Sequence, residues 1–314
     1  MSETPTSRLA PSPTGALHLG NARTFLINWA LARQRGWRLL LRMEDLDGPR
    51  VKPESAASVL DTLAWLGITY DGDVLVQSHD LAPYHAALAA LAHAGLVYPS
   101  TTTRGEIEAS VSAPHFGEHE VRFPSALRPP APWPHSIANL DVNYRLAVVD
   151  GDIDVRDEFC GHVRFSPARE VGDFVVWTRR GVPAYQLAVV VDDARQGVTD
   201  VVRGADLLPS AARQQLIYAA LGWRAPNWWH VPLVVGNDGK RLAKRHGDSR
   251  LATYRARGAS AERVIGLLAA WCGLCGSAEE MDATEFLRRF DIKQLSSEPI
   301  VFTAEQDRWL ARGV

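Results

Sequence analysis

A chain of 314 residues, 46% hydrophobic and 22% charged, is long enough to bury a sizeable core and has room for about two compact units. Its net charge of −2 gives no global attraction to nucleic acid, so any such contact must come from a local patch. The sequence has no apolar run of about eighteen residues and no apolar signal core in its opening MSETPTSRLAPSPTG, and its three cysteines make no disulfide framework. These features predict a cytoplasmic chain with no membrane span.

The first predicted element is a helix over residues 21–34, with Phe25, Leu26, Trp29 and Ala30 on one face and Gly36 beyond its end. A short apolar run at 39–43 reads as a buried strand. Helices follow at 54–66, stopped by Gly67, and at 82–94, stopped by Gly95. Residues 96–140 hold a threonine run and many prolines, and read as an irregular insertion. Strand-like runs occupy 144–149, 187–191 and 231–235. From about Ser260 the chain is helical again, with Val264, Leu267, Leu268 and Trp271 at helical spacing. Cys272 and Cys275 close the apolar run VIGLLAAWCGLC, with no second ligand pair at zinc spacing, and read as core cysteines. Strands alternating with helices predict an α/β domain around a parallel sheet.

Neither GxGxxG nor GxxxxGK[ST] occurs. Three other segments carry chemistry. RLAPSPTGALHLGN, residues 8–21, feeds the first helix, whose amides and dipole favour a phosphate, with His18 and Asn21 beside them. RMEDLDGPR, residues 42–50, puts Glu44, Asp45 and Asp47 past the carboxyl end of a strand, where ligands of open α/β sheets bind. GNDGKRLAKRHGD, residues 236–248, is a glycine-flanked basic loop whose Lys244 can meet the charge of a triphosphate. Each segment alone has a plain alternative: a turn, a capping loop or a solvated basic face.

Together, in this order, they resemble the glutamyl-tRNA synthetases. Arg8-Leu-Ala-Pro-Ser-Pro-Thr-Gly with His18-Leu-Gly-Asn resembles that family's HIGH segment, although Asn21 replaces the second histidine. Arg241-Leu-Ala-Lys-Arg245 is similar to the KMSKS loop, keeping the second lysine as Lys244. DDARQGVTDVVRG, residues 192–204, resembles a further motif of the family. The shortness of the chain narrows the resemblance to the glutamyl-queuosine tRNA(Asp) synthetases, which have no anticodon-reading domain.

That resemblance implies a class I aminoacyl-tRNA synthetase fold. It consists of a Rossmann-like parallel sheet in two halves (1–95 and 186–258), a connective insertion of the acceptor type (96–185) and a short helical C-terminal unit (259–314). It implies ATP with Mg2+, L-glutamate and queuosine-containing tRNA(Asp) as substrates and partners, acted on by a monomer. Glutamate would be held by Arg8, Leu9, Ala10, Pro11, Ser12, Glu44, Tyr185 and Arg203. ATP would be held by His18, Gly20, Asn21, Arg241, Leu242 and Lys244, with His18 and Lys244 catalytic. Arginines suit two carboxylates and Glu44 an ammonium. Where many relatives of this type hold zinc, this chain has Ser100, Thr102, Phe123 and Leu127, so no zinc is expected. His115 and His119, beside Glu118 and Glu120, are the one substitute pair in that stretch. The alternatives are a truncated glutamyl-tRNA synthetase charging tRNA(Glu), and a catalytically silent binder of glutamate or nucleotide.

Overall fold

The computed structural model describes residues 4–13, 17–46, 53–103, 105–107, 122–240, 242 and 249–311. Strand β1 (Thr6–Leu9) precedes helix α1 (Leu19–Arg35), and β2 (Arg38–Met43) runs parallel to β1. Gly36 ends α1 at φ 66°, a left-handed turn in which its amide satisfies the carbonyls of Ala32 and Arg33. Helix α2 (Pro53–Trp65) leads to β3 (Leu75–Val76), the parallel neighbour of β2, and α3 (Ala82–His93) follows.

The next stretch builds its own antiparallel sheet from β4 (Val97–Ser100), β5 (Asn143–Leu146), β8 (Phe174–Thr178) and β9 (Val182–Pro183), in that order. Between β5 and β8 lie the hairpin β6 (Ile153–Asp157) and β7 (Gly161–Phe165) and the one-turn helix α4 (Pro167–Glu170). The 96–140 segment therefore contains a regular strand at its start, and among its described residues 122–140 are largely irregular apart from one 3-10 turn at Ser125–Leu127.

Helix α5 (Tyr185–Arg195) returns the chain to the body, followed by β10 (Asp200–Gly204), α6 (Leu208–Ala220) and β11 (Asn227–Val231). β11 pairs in parallel with β10 and, at Trp228↔Asp157, with β6, so the hairpin joins this second sheet. β10 lies beside β1, where Thr199 donates its amide to the Thr6 carbonyl at 2.9 Å and receives the Thr6 amide on Oγ1 at 2.8 Å. Strand β12 (Val234–Val235) pairs with β13 (Ile300–Val301). Helices α7 (Leu251–Ala256), α8 (Ala261–Trp271), α9 (Ala283–Arg289) and α10 (Ala304–Ala311) complete the C-terminal unit.

Two large cores result. One joins α1, α2 and β2 to the C-terminal helices, and the other joins α3, α5 and α6 to the strands of the inserted sheet. The buried Arg23 of α1 ties the first core together by donating to the carbonyls of Pro232 at 2.6 Å and Trp271 at 3.3 Å. Cys272 is fully buried there and Cys275 packs against it half-buried.

Two strand expectations fail. Residues 187–191 are helical, inside α5, because that helix is buried between both sheets and the flanking helices; an apolar run with no polar face has no readable period. The 231–235 run is broken, since Pro232 has no amide for a ladder and splits it into the end of β11 and the separate β12.

Candidate functional site

A cavity of about 520 Å³ opens at the carboxyl ends of β1, β2 and β10, where an α/β sheet places its ligands. It is lined by Arg8, Ala10, Pro11, Ser12, His18, Gly20, Asn21, Glu44, Tyr185 and Arg203, all expected from the sequence. Thr24, Phe25, Gly204, Asp206 and Leu233 also line it and were not expected. Two expected residues are absent from the lining: Leu9 and Leu242 bury their side chains in the first core. In β1 successive side chains face opposite ways, so Leu9 turns inward when Arg8 faces the cavity. Arg241, Lys244, Asp47, His115 and His119 lie outside the described residues.

Arg8 sits on a braced strand end. Ser7 donates its hydroxyl to Asn28 Oδ1 at 2.9 Å, and Asn28 Nδ2 donates to the Arg8 carbonyl at 3.0 Å, which locks β1 to α1. The Glu44 amide donates to the Pro11 carbonyl at 3.0 Å, joining the loops after β1 and β2.

The charged side chains form one network behind the cavity. Arg42, fully buried in β2, donates Nη1 to Asp193 Oδ1 at 2.7 Å and Nη2 to Glu44 Oε1 at 3.1 Å. Arg8 Nε donates to the same Asp193 oxygen at 3.1 Å. Asp192 is closed off by Gln77 at 2.6 Å, Tyr84 at 2.9 Å and Arg195 at 2.9 Å. Burial pushes the Arg42 pKa down, but Asp193, Glu44 and Asp192 outweigh it and leave it raised. Burial pushes the Asp193 carboxyl up, yet Arg42 and Arg8 carry it below its ordinary value. Glu44 goes the other way: burial raises it, and Arg42 and Arg8 only partly offset this.

The network leaves groups uncommitted on the cavity side. Among the described residues, Arg8 Nη1 and Nη2 make no hydrogen bond, and neither does Glu44 Oε2. Arg203 spends one N–H of each nitrogen on neutral acceptors, leaving a second N–H on both Nη atoms. Tyr185, 42% exposed, stands in the same wall.

His18 corrects one expectation. Its Nδ1 caps α1, accepting the amides of Gly20 at 3.1 Å and Asn21 at 3.4 Å, so those first-turn donors are taken by the protein itself. A Cβ at Gly20 would stand 3.1 Å from the ring, so the missing side chain is what lets His18 fold over the turn. With Nδ1 accepting, the ring carries its proton on Nε2.

The four positions read as replacements for zinc ligands make other contacts. Ser100 accepts from Arg145 at 3.3 Å, and the Arg145 guanidinium lies 4.1 Å over the Phe123 ring. Phe123 and Leu127 pack with Tyr98, Ile107 and Trp133, while Thr102 is half-buried. No group of three His, Cys, Asp or Glu side chains that could hold a metal gathers among the described residues. No helix among them is long and apolar enough to cross a membrane.

Comparison with known proteins gives consistent matches. The family model for tRNA synthetases class I (E and Q), catalytic domain, matches residues 6–309. A Glutamyl-Q tRNA(Asp) synthetase of Rhodopirellula baltica is 41% identical, over 94% of this chain and 95% of that one. One from Symbiobacterium thermophilum is 42% identical over 98% of each chain. Glutamate–tRNA ligase 2 of Ruegeria pomeroyi is 40% identical, over 94% of this chain but 63% of its own length. The crystal structure of Glutamate-tRNA Synthetase from Elizabethkingia anophelis superposes with a TM-score of 0.78 at 26% identity, covering 98% of this chain and 70% of that one.

Proposed function

Since the chain belongs to the class I tRNA synthetases of the glutamate and glutamine type, we propose that it is a ligase that activates L-glutamate with ATP as glutamyl-adenylate and transfers the glutamate to queuosine in the anticodon of tRNA(Asp). The observation that carries the amino-acid half is the charge pattern of the cavity. Two arginines with uncommitted N–H groups and one carboxylate with an uncommitted oxygen complement a ligand with two carboxylates and one ammonium. In this reading Arg8 and Arg203 take the carboxylates, Glu44 the ammonium, and the Tyr185 hydroxyl adds an oriented hydrogen bond. Ala10, Pro11 and Ser12 form the wall between them.

The α-carboxylate of glutamate attacks the α-phosphorus of ATP. A bond to that phosphorus forms as the bond to the bridging oxygen breaks, and pyrophosphate leaves. His18 donates from Nε2 toward the nucleotide, with Gly20 and Asn21 beside it; Arg241 and Lys244 meet the triphosphate from the basic loop. Magnesium would arrive with ATP and would supply charge compensation for the pyrophosphate leaving group. A hydroxyl of queuosine then takes the glutamyl group and releases AMP.

The acceptor reading rests on relatives of matching length: two chains coextensive with this one carry the name Glutamyl-Q tRNA(Asp) synthetase. Residues 1–95 and 186–258 would form the catalytic halves of a cytoplasmic monomer, with 96–185 as the insertion and 259–314 as the helical unit. The test supplies labelled glutamate and ATP with tRNA(Asp) bearing or lacking queuosine, beside tRNA(Glu). Pyrophosphate exchange without tRNA and label on queuosine-containing tRNA(Asp) alone are expected. Label at the 3′ end of tRNA(Glu) would move the acceptor, and no exchange at all would end the enzymatic reading.

A further inference from the structure

Among the described residues, Arg203 is held without an ion pair. Its Nε donates to His230 Nε2 at 2.9 Å, Nη1 to Gln214 Oε1 at 2.9 Å and Nη2 to the Leu207 carbonyl at 3.2 Å. Its guanidinium lies 4.9 Å from the centre of the Trp228 ring. Each hydrogen-bond acceptor is neutral. An imidazole that accepts on Nε2 carries its proton on Nδ1, and that nitrogen meets Asp157 Oδ2 at 2.6 Å. Asp157 is in turn fixed by the amides of Phe159 at 2.9 Å, Cys160 at 2.7 Å and His230 itself at 3.1 Å. His230 is fully buried, and neither it nor Asp157 lines the cavity.

We propose that His230 and Asp157 are positioning residues for substrate specificity: they aim the Arg203 guanidinium into the cavity while leaving its charge for the carboxylate of the amino acid. This rests on the reading of Arg203 as a carboxylate binder. A carboxylate placed directly on Arg203 would orient it equally well but would compete with the substrate for the same charge. A neutral imidazole orients without cancelling. The imidazole alone has two tautomers, and the one with Nε2–H would set donor against donor at Arg203. Asp157 removes that tautomer by accepting from Nδ1, and its own charge stays one ring away from the guanidinium.

Burial holds the His230 pKa below its ordinary value of 6.5, with the Asp157 hydrogen bond opposing and the Arg203 charge reinforcing the shift. The other groups around the pair are the Cys160 thiol, which donates to the His230 carbonyl at 3.2 Å, and the Trp228 ring, 6.2 Å from the imidazole. Around Arg203 stand Tyr185, Arg8, Asp193 and Glu44. The relay therefore stays intact at neutral pH and opens only in acid, when an imidazolium would turn Nε2–H toward Arg203.

The test compares Asp157→Asn, His230→Leu, His230→Gln and Arg203→Lys in the full chain by glutamate-dependent pyrophosphate exchange. An asparagine at 157 must either face Nδ1 with its NH2 group, forcing the wrong tautomer, or abandon the 159–160 amides. Asp157→Asn and His230→Leu are expected to raise the KM for glutamate ~10–100-fold, the worth of a hydrogen bond to a charged group, with the KM for ATP within about twofold. Preference for glutamate over glutamine should narrow by a similar factor, and His230→Gln, whose amide oxygen can accept from Nε, should recover part of the loss. Nitrogen NMR of the wild-type imidazole should report an Nδ1–H ring that is neutral at about pH 7 and titrates only below its ordinary value of 6.5. An Nε2–H ring, or KM values for both substrates rising together, would overturn the relay. Should the 157 variant fail to fold, the NMR measurement and His230→Gln still decide. Arg203→Lys separates the two readings. If it leaves the glutamate KM unchanged, the carboxylate assignment has failed. If it raises that KM while the 157 and 230 variants do not, the relay alone has failed.

Discussion

Two arginine–aspartate clusters stand in this molecule, one in the inserted sheet and one behind the cavity, and they are built on opposite plans. In the inserted sheet, Asp173 of the loop before β8 receives Tyr98 and Arg128 Nε on one oxygen, and Arg128 Nη2 and the Val148 amide on the other. One carboxylate meets one guanidinium as a bidentate fork, and both carboxylate oxygens accept two hydrogen bonds each. Behind the cavity, Asp193 is shared by two arginines, its Oδ2 has no partner, and Arg8, Glu44 and Arg203 keep unused groups on the open side. Filled valences make a strut. Valences left open on one side, and braced on the other, make a binding surface.

The comparison breaks most visibly if the shared cation is removed. Arg42→Met keeps the volume but leaves Glu44, Asp192 and Asp193 without their common partner. Stability should fall by ~3–5 kcal/mol in a urea melt, and glutamate-dependent exchange should disappear with it. A melt within about 1 kcal/mol of the wild type would mean that the cluster is less interdependent than its geometry.

Asp173→Asn is the matched cut in the strut. It should cost ~1–3 kcal/mol by the same melt, while the KM for glutamate stays within about twofold. A glutamate KM that moves with the melt would erase the distinction between the clusters. The strut is also the reason to propose an insertion that folds without zinc, and metal analysis of tag-free protein should find none at near-stoichiometric level.

The smallest effect on stability is expected at Glu44, whose carboxyl burial lifts above its ordinary value of 4.5. An ammonium ligand needs the ionised form. As pH falls through that raised pKa the form is lost, so the KM for glutamate should climb at a pH where ordinary carboxylates are still ionised. Glu44→Gln should flatten this limb at a uniformly high KM and change the melt by less than about 1 kcal/mol, since the amide oxygen can still accept from Arg42. A limb that persists in the variant belongs to another group.

Much of the cavity was legible because its residues sit in contiguous motifs: Arg8 to Ser12, His18 to Asn21, Glu44 after a strand, and Arg203 at the end of a strand. The same contiguity hid that the Leu9 and Leu242 side chains belong to the core, since a motif carries core and cavity residues side by side and only the direction of the backbone separates them. The supporting layer stayed hidden for a different reason. Arg42 and Asp193 stand inside the quoted motifs, but their pairing with each other, like that of Asp157 with His230, joins positions far apart along the chain and has no local pattern. One signal was available: an arginine inside the apolar strand LLLRM must have a counter-charge somewhere in the fold. Helix α5 was misread because burial on all sides removes the period that marks a helix.

The reach of the Arg42–Asp193 pair also sets an order in time. The two residues are 151 positions apart, and a ribosome adding roughly 5–20 residues per second emits the aspartate about 8–30 s after the arginine. During that interval the nascent β2 carries a cation with Glu44 as its one nearby counter-charge among the partners described above. The set of counter-charges around Arg42 is therefore completed only when Asp192 and Asp193 arrive, which ties the last step in neutralising β2 to the last step in building the cavity's supporting wall.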